Sequence, residues 1–356
     1  MKTLQTAIIG AGRLGGFHAQ KLAADNRCNL LAIADPNAET RKTVATNVSE
    51  ANGAAVGTAS HYNELLGKID AAIVAAPTTL HYEICKDLLN AGVHTLVEKP
   101  ICTRVDEADE LVDLAKEKGC VFSVGQIERF NPAFLPFQRS FCSAKYIEAR
   151  RCGPFPFRSF DVGVVLDLMI HDLDLILSFV RSPIATVEAF GTPVLGPHED
   201  IAGAHITFEN GCIASLDVSR VSYEAERTMT AICAHSFGKA DFATRTFETI
   251  QPSPTVLRRK FDLAGMSQEE IEHCKENLTI EHLPRTIRTF DAVDALANQD
   301  AEFLSAIIEN RKPRVTGKAG RDALAAANRV LASIEQRDWD TGFQPELSAV
   351  RLAKVA

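Results

Sequence analysis

Thr6-Ala7-Ile8-Ile9-Gly10-Ala11-Gly12-Arg13-Leu14-Gly15 is the stretch of sequence that decides the fold of this chain. Its apolar half predicts a buried strand, and the three glycines that follow have the spacing GxGxxG. In this pattern the first glycine permits a tight turn, the second lets the backbone approach a pyrophosphate, and the third allows a helix to pack closely on the strand. The helix predicted over residues 13–24 directs its N-terminal N–H groups at the phosphates. The stretch therefore predicts a dinucleotide-binding site.

An acidic residue stands at the expected distance from this motif. A second apolar run, residues 30–34, ends on Asp35, twenty residues after Gly15. A carboxylate at this place accepts hydrogen bonds from the ribose diol of adenosine and repels a 2′-phosphate. The sequence therefore predicts NAD rather than NADP as the cofactor.

Length and composition indicate a two-domain globular enzyme. The chain has 356 residues, and its 46% of apolar residues suffices for two cores. A net charge of −8 without a basic block argues against nucleic acid as a partner. The nine cysteines are scattered without a CxxC pair, which favours free thiols in a reducing compartment over disulfides or a metal site. Neither a leader-like segment nor a membrane-spanning apolar run is evident, so we expect a cytoplasmic protein with no membrane partner.

Residues 1–125 alternate short apolar runs with helical patterns. This alternation is typical of an α/β domain with a doubly wound parallel sheet, a Rossmann domain. The predicted strands are residues 6–9, 30–34, 71–75, 94–97 and 121–124. Helices are predicted over residues 80–91 and 105–118, each followed by a glycine that ends it, Gly92 and Gly119.

Residues 126–356 predict an α+β domain with a predominantly antiparallel, open sheet. The predicted strands are residues 145–151, 185–190, 202–208, 212–218, 228–234 and 239–246, with Asn210-Gly211 as a hairpin turn. One long apolar helix is predicted over residues 165–180. Residues 249–283 show no clear period and are interpreted as an excursion of loops and helices. Two helices, residues 291–309 and 320–337, follow, and we expect them to pack back on the first domain.

The apolar helix carries a polar stripe. Asp167, His171, Asp174 and Ser178 fall on one helical face, which a buried helix does not tolerate unless the stripe faces a polar cavity or cleft. Asp167 lies one turn before His171, so its carboxylate could hold one ring nitrogen and leave the other free to exchange a proton. The alternative is a solvated helix face or a core histidine with ordinary partners.

A lysine marks the end of a strand in the first domain. Glu98-Lys99-Pro100 follows the strand at residues 94–97, and ligands of parallel sheets bind outside the carboxyl ends of the strands. Lys99 is therefore expected to point into the crevice, and proline restricts its backbone. The alternative is an ordinary surface lysine.

A segment of small residues ends another strand. Ala76-Pro77-Thr78 leaves room for a dinucleotide and offers a hydroxyl to it, although the neighbouring Thr79 could equally be a helix N-cap. The other histidines of this domain show no partner at ligand spacing, and we expect them to be structural or exposed. They are His18, His61, His81 and His94.

Taken together, these motifs resemble the glucose–fructose oxidoreductase / inositol dehydrogenase / MocA-like (Gfo/Idh/MocA) family, over nearly the whole chain. The matching residues are Gly10–Gly15, Asp35, Ala76-Pro77-Thr78 with His81, Glu98-Lys99-Pro100, Val124-Gly125-Gln126 with Arg129-Phe130, Asp167 with His171, and the tail from Phe303. The resemblance implies an NAD-dependent oxidoreductase in which Lys99, Asp167 and His171 are catalytic around the nicotinamide. It also implies that the second domain binds substrate and forms a homodimer or homotetramer through its sheet.

The motifs and the resemblance together give a full set of expected site residues. Those expected at the cofactor are Gly10, Gly12, Arg13, Leu14, Gly15, Asp35, Ala76, Pro77, Thr78, His81, Glu98, Lys99 and Gln126. Those expected at the substrate are Lys99, Arg129, Arg151, Arg158, Asp161 and His171.

Within the family, residues 153–172 are most similar to enzymes that oxidise UDP-N-acetylglucosamine at C3 in making the 3-amino sugars of lipid A. The resemblance thus implies a nucleotide-sugar substrate. UDP-N-acetylglucosaminuronate, inositol or another sugar stays open as an alternative. A regulator that senses NAD without catalysis is the alternative of another class, which the presence of Lys99 and His171 disfavours.

Overall fold

The first domain is built on a six-stranded parallel sheet. The computed structural model describes residues 3–157 and 162–336. The strands are β1 (Leu4–Ile9), β2 (Cys28–Ala34), β3 (Gly57–Ala59), β4 (Ala71–Val74), β5 (His94–Glu98) and β6 (Phe122–Gly125). Their spatial order is β3-β2-β1-β4-β5-β6, so the chain reverses its direction of winding at β1. The predicted Rossmann sheet is confirmed, and the crevice for a ligand lies at this reversal.

Four helices flank this sheet: α1 (Arg13–Ala24), α2 (Ala38–Asn52), α3 (His81–Asn90) and α4 (Val105–Lys118). Helices α1 and α4 agree with the predicted bounds at both ends, and Gly119, at φ 65°, caps α4 in the left-handed conformation. Strand β3 was not predicted. It has three residues, two of them exposed, and so carries no apolar run that a sequence pattern could reveal.

The second domain contains an eight-stranded sheet. Its strands are β7 (Tyr146–Cys152), β8 (Ile184–Thr192), β9 (Ile201–Phe208), β10 (Ile213–Ser219), β11 (Glu226–Ile232), β12 (Phe237–Asp241), β13 (Thr246–Ile250) and β14 (Arg285–Thr289). The order is β14-β13-β12-β11-β7-β10-β9-β8, and only the β7–β10 pair is parallel. The prediction of a mainly antiparallel sheet is confirmed. The Asn210-Gly211 turn joins β9 to β10 as predicted.

Helices cover one face of this sheet. They are α5 (Phe134–Ser140), α6 (Ile170–Val180) and α10 (Gly317–Glu335), and the core between them and the strands includes Phe137, Phe141 and Phe179. The remaining helices are α7 (Pro254–Leu257), α8 (Gln268–Asn277) and α9 (Ala295–Ile308). Within the described residues, no helix is both long and apolar enough to cross a membrane.

Three expectations for the second domain are wrong in detail. The predicted strand at residues 239–246 is two strands, because β12 ends at Asp241 and Thr246 already begins β13. The region interpreted as an excursion of loops and helices does contain α7 and α8, but its first two residues belong to β13, and β14 follows one residue after it. All five residues of β14 are exposed, so no burial pattern marks it as a strand. The helix predicted over residues 165–180 begins with a π-helical turn, Val165–Met169, before α6.

The last two described helices contact both domains. Helix α9 packs on α1, and α10 packs on α4 and β6 of the first domain as well as on α6 and β8 of the second. Between them, Ser123 donates its hydroxyl to the carbonyl oxygen of Val315 at 2.8 Å. These contacts fix the two domains relative to one another.

Buried ion pairs connect α6 to its surroundings. Arg151 of β7 donates Nε and Nη2 to the carboxylate of Asp172 at 2.9 and 2.8 Å, and Nη1 to Glu128 at 2.7 Å. Arg129 forms a second two-pronged pair with Asp174. Arg151 is 4% exposed and Asp172 is 1% exposed. Removing one partner of such a pair leaves an uncompensated charge in the interior.

We predict that Arg151→Leu lowers the free energy of unfolding by about 3–5 kcal/mol, because Asp172 and Glu128 lose their counter-charge inside the protein. Denaturant titration followed by circular dichroism measures the change. Arg150→Leu is the matched control, since the neighbouring Arg150 side chain is 47% exposed and its Nε lies 3.5 Å from the carboxylate of Glu226. Equal stability of the two variants would contradict the prediction.

Candidate active site

A cavity of about 390 Å³ opens at the carboxyl edge of the parallel sheet. It lies where the chain leaves β1, β2 and β4, the position at which doubly wound sheets bind nucleotides. Its lining includes Gly10, Asp35, Pro36, Tyr62, Ala76 and Pro77. The predicted cofactor residues from three separate strand ends therefore meet in one cavity. Arg13 and Leu14 begin α1 next to it with exposed side chains, and Thr78 begins the 3₁₀ turn after β4.

Each of the three glycines of the motif is a glycine for a different structural reason. Gly10 has φ 101°, and a Cβ on it would lie 2.6 Å from the carbonyl oxygen of Ala75. A Cβ on Gly15 would lie 1.9 Å from the carbonyl oxygen of Gly10, so the turn and α1 pack too closely for any side chain. Gly12 has nothing within 4 Å of its Cβ position. The space above Gly12 is therefore open to a ligand, which fits the expected path of the pyrophosphate.

Asp35 faces the cavity, and its carboxylate also stabilises the glycine loop by accepting backbone hydrogen bonds. Its Oδ2 accepts the N–H of Ala11 at 2.7 Å, and its Oδ1 accepts the N–H of Asn37 at 2.8 Å. Arg41 donates to the carbonyl oxygens of Asp35 and Pro36. Its guanidinium thus supports the backbone of the loop, and the carboxylate stands in the cavity where a ribose diol would bind.

His81 lies between two loops and corrects one expectation. It was expected at the cofactor, although its spacing predicted a structural or exposed histidine; it is 1% exposed, and its ring nitrogens lie 2.8 Å from the carbonyl oxygens of Ala76 and Pro100. Burial lowers the pKa of the ring. His81 therefore lies between the loop after β4 and the loop after β5, and both of its ring nitrogens face protein oxygens rather than a ligand.

Lys99 meets Asp167 where the two domains join. The Nζ of Lys99 donates to the backbone oxygen of Asp167 at 2.7 Å and to its Oδ1 at 3.1 Å. Lys99 follows β5 with a cis peptide bond to Pro100, and Asp167 lies in the π-helical turn before α6. The predicted direction of Lys99 into the crevice agrees with this contact.

The expected hydrogen bond from Asp167 to His171 is absent, and Asp167 pairs with Lys99 instead. Asp167 lies in the π-helical turn, which contains an extra residue, so the two side chains lose the i, i+4 alignment of an α-helix. Among the described residues, the Nδ1 atom of His171 is buried without any hydrogen-bond partner. Burial, reinforced by the positive charges of Lys99, Arg151 and Arg227, lowers the pKa of His171 well below its usual range. The ring is therefore neutral and able to accept a proton.

Glu98 and Gln126 lie at the inner end of the same region. Glu98 was expected at the cofactor, but its carboxylate turns into the interior and accepts a hydrogen bond from Nε2 of His18 at 3.0 Å. Both amide atoms of Gln126 are buried and have no partner in the described part of the chain. Buried polar atoms normally have partners, so an amide with none fits a place that a polar ligand group completes.

Sequence reasoning expected His18 to be structural or exposed, and it missed its partner Asp300. His18 lies on the buried face of α1 with Gly15, Ala19 and Leu22, and this placement was the available signal, because a histidine facing the sheet needs a polar partner. Its partner Asp300 is 282 residues away, and nothing local in the sequence connects them.

Two of the expected substrate residues are engaged elsewhere. Arg151 and Arg129 were expected to bind substrate, but their guanidinium groups are occupied by Asp172 with Glu128 and by Asp174. Arg158 and Asp161 lie outside the described residues. Lys99 and His171 are expected substrate residues that act on one another, since the charge of Lys99 lowers the pKa of His171. In the described residues, no group of three or more His, Cys, Asp or Glu could hold a metal ion.

Comparison with known proteins gives consistent results. A family model described as "Oxidoreductase family, NAD-binding Rossmann fold" matches residues 4–126, and the model of the GFO/IDH/MocA C-terminal domain matches residues 147–236. UDP-N-acetylglucosamine 3-dehydrogenase of Acidithiobacillus ferrooxidans is 34% identical over 333 residues, 93% of this chain and 97% of the relative. Its solved structure has a TM-score of 0.82 at 33% identity and covers 94% of this chain and 99% of that one.

Inositol dehydrogenases are more distant relatives. The NAD(+)-dependent scyllo-inositol 2-dehydrogenase of Bacillus subtilis is 26% identical over 236 residues, 62% of this chain and 68% of the relative. The structure of scyllo-inositol dehydrogenase from Lactobacillus casei with bound NAD(H) and scyllo-inositol has a TM-score of 0.72 at 19% identity, covering 95% of this chain and 98% of that one. This second similarity concerns the fold alone.

The different surroundings of two glycines lead to a prediction for NAD binding. Gly12→Ala should keep wild-type stability and weaken NAD⁺ binding by about tenfold or more, because the methyl group enters the space left for the pyrophosphate. Gly15→Ala should lower the free energy of unfolding by about 1–3 kcal/mol through its clash with Gly10. Calorimetric NAD⁺ titration and thermal unfolding measure the two effects.

Gly196→Ala is the control for both, since nothing lies within 4 Å of its Cβ position and it is far along the chain from the motif. Wild-type NAD⁺ affinity of Gly12→Ala would show that the pyrophosphate does not cross this turn.

Proposed function

This chain belongs to the Gfo/Idh/MocA oxidoreductase family, and from that premise we propose that it oxidises the 3-hydroxyl of UDP-N-acetylglucosamine with NAD⁺ as the acceptor. The carrying observation is the cation of Lys99, held by Asp167 at the edge of the nucleotide-binding sheet, near a neutral His171. Such a set suits the removal of a hydroxyl proton together with a hydride. The product is a 3-keto sugar, which an aminotransferase could convert to a 3-amino sugar such as that of lipid A.

The protein's residues divide the work of the reaction. His171 accepts the proton of the hydroxyl group, because its ring is neutral and the residue is only partly buried. Lys99 donates a hydrogen bond to the same oxygen and stabilises the negative charge that develops there. That charge stabilisation matters because the lowered pKa of His171 makes it a weak base. NAD⁺, when bound, supplies the acceptor for the hydride that leaves the same carbon.

Asp167 positions the lysine. Its backbone oxygen and carboxylate both accept hydrogen bonds from Nζ of Lys99, so the cation is directed from two sides. Side chains of both residues are less than one fifth exposed, at 17% for Lys99 and 14% for Asp167. A charge held this way is organised before the substrate arrives.

Arg227 is the candidate for binding the diphosphate of the substrate. It lies directly opposite Arg151 in the β11–β7 pair and therefore on the same face of the sheet, toward α6. Its side chain is exposed, whereas Arg151 is committed to Asp172 and Glu128. The charge of Arg227 also contributes to lowering the pKa of His171, which agrees with its place on the α6 side of the sheet.

The choice of substrate draws on the similarity to the Acidithiobacillus enzyme, which extends over 97% of that relative. Inositol and UDP-N-acetylglucosaminuronate are the competing substrates. We also propose that the chain forms a homodimer or homotetramer through the uncovered face of its large sheet. The exposed apolar side chains of that face support this: Phe190, Ile213, Ile232 and Ile287.

Substitutions of the two central residues test the mechanism. His171→Ala and Lys99→Met should each lower kcat by about 10²–10⁴-fold while NAD⁺ binding is retained. Because the pKa of His171 in the folded protein is below its usual range, the neutral ring persists as the pH falls, and wild-type kcat should not drop through about pH 6.5. His235→Ala and Lys42→Met, both at exposed positions, are the controls. Near-normal turnover of either central variant would refute these roles.

A substrate panel tests the proposed activity. Purified protein is incubated with NAD⁺ and UDP-N-acetylglucosamine, its uronic acid, free N-acetylglucosamine or myo-inositol, with the reduced cofactor followed by absorbance and the product by mass spectrometry. We expect oxidation of UDP-N-acetylglucosamine to a product lacking two hydrogens. Arg227→Ala should raise the KM for the nucleotide sugar about 10- to 100-fold, as loss of a charged hydrogen bond does, and leave the KM for NAD⁺ unchanged.

Arg150→Ala is the matched control for Arg227→Ala, because residue 150 faces the opposite side of the same sheet. Oxidation of inositol with no activity on either nucleotide sugar would overturn the proposed substrate and leave the family unaffected.

A further inference from the structure

Three ionisable residues form a chain of hydrogen bonds where α9 packs on the first domain. Nδ1 of His18 lies 2.9 Å from both carboxylate oxygens of Asp300, and Nε2 lies 3.0 Å from Oε1 of Glu98. His18 is 0% exposed, Asp300 is 2% exposed and Glu98 is 8% exposed. We call these three residues the buried triad. Both ring nitrogens face acceptors, so a protonated ring satisfies the whole triad.

The charge state follows from this arrangement. Burial alone would lower the pKa of His18, but the charge and hydrogen bonds of Asp300 and Glu98 outweigh it and raise the pKa to about 10. The positive charge of His18 in turn holds the pKa of Glu98 below its usual value against the effect of burial. The triad therefore contains an imidazolium between carboxylates.

Each member comes from a different part of the site. His18 lies on α1, one turn after the glycine motif, Glu98 is the last residue of β5 and directly precedes Lys99, and Asp300 lies on α9. Burying three ionisable groups is a weak source of stability, because an apolar cluster of the same volume costs less desolvation. The location next to Lys99 suggests that the triad serves the site.

Glu98 is held on two further sides. Its Oε2 accepts the backbone N–H of Lys99 at 3.3 Å. The carboxylate also fills the space beside Gly125 at the end of β6, where a Cβ would lie 2.5 Å from Oε1. A shift of the Glu98 carboxylate would therefore move the backbone from which the Lys99 side chain starts.

We propose that His18 is a positioning residue for catalysis, which anchors the carboxylate of Glu98 between α1 and α9 and thereby directs Lys99 toward Asp167 and the reacting oxygen. The inference rests on the proposed function in that Lys99 is taken as the residue that contacts this oxygen. His18 itself contacts neither substrate nor cofactor in this role.

Two amide substitutions at the same position separate positioning from bulk stability. Both His18→Gln and His18→Asn remove the ring and its charge. The Gln amide nitrogen reaches the place of Nε2 and still donates to Glu98, whereas the shorter Asn amide reaches only the place of Nδ1, beside Asp300. We expect kcat of His18→Asn to fall about 10- to 100-fold, as small displacements of catalytic groups do. His18→Gln should restore most of that loss, and the Kd for NAD⁺ should change much less than kcat in both variants.

A second measurement does not depend on the substrate. Reductive methylation of Lys99, quantified by mass spectrometry against the exposed Lys42, reports the direction of the Lys99 amine in the NAD⁺-bound full-length protein. We expect the labelling of Lys99 to change in His18→Asn and to remain close to wild type in His18→Gln. If no sugar is oxidised by the wild type, the proposed function fails, while the labelling still decides the role of His18.

His94→Gln is the control, because His94 lies at the opposite end of β5 and accepts the backbone N–H of Val121. Its loss can weaken the strand without affecting Glu98. Equal losses of kcat in His18→Asn, His18→Gln and His94→Gln that follow their thermal midpoints would overturn the proposal. Unchanged labelling of Lys99 in His18→Asn would overturn it as well.

Discussion

The ion pair between Lys99 and Asp167 is the contact on which the site depends, because it joins the end of a strand in one domain to the entry of a helix in the other. Lys99 and Asp167 lie in different domains, so neither domain forms this ion pair by itself. Lys99 is placed by the parallel sheet, whose strands all present their carboxyl ends at one edge. Asp167 is placed by the π-helical turn before α6, which is held over the large sheet. The position of the Lys99 cation therefore depends on how the two domains pack against each other.

Charged residues, rather than apolar contacts alone, fix that arrangement around the site. Arg151 connects β7 to α6 through Asp172 and reaches back to Glu128 in the segment after β6. Arg129, in the same segment, binds Asp174. Such pairs depend strongly on direction, because the N–H groups of a guanidinium align with both oxygens of a carboxylate in few geometries. They therefore restrict how α6 rotates, and with it the position of His171.

The neutral state of His171 follows first from its burial, which lowers the pKa of the ring. The nearby cations of Lys99, Arg151 and Arg227 disfavour its protonation further. His18 experiences the opposite environment, since two carboxylates face its ring and raise its pKa. Two histidines of one chain thus carry different charges, because one is surrounded by arginine and lysine and the other by aspartate and glutamate. Only a neutral ring can accept a proton, which fits the proposed role of His171.

The sequence by itself determined the elements of the fold. Apolar runs, the glycine motif and the C-cap glycine of α4 act on neighbours a few residues away, and Asp35 stands at a fixed spacing from the motif, so the sequence alone identifies them. This local information predicted both sheets and pointed to Lys99, Asp167 and His171. It did not reveal β3 or β14, because short or fully exposed strands bury no side chains in a readable pattern.

Only the tertiary structure decided which charges pair. Asp167 binds a lysine 68 positions away rather than the histidine four positions on, and His18 meets an aspartate 282 positions away. Arg151 was expected at the substrate, but it pairs with Asp172 because α6 packs on β7. The physical reason is that an ion pair depends on distance and burial in space, and these arise when separate elements pack together. Sequence spacing constrains them only within a single helix or turn.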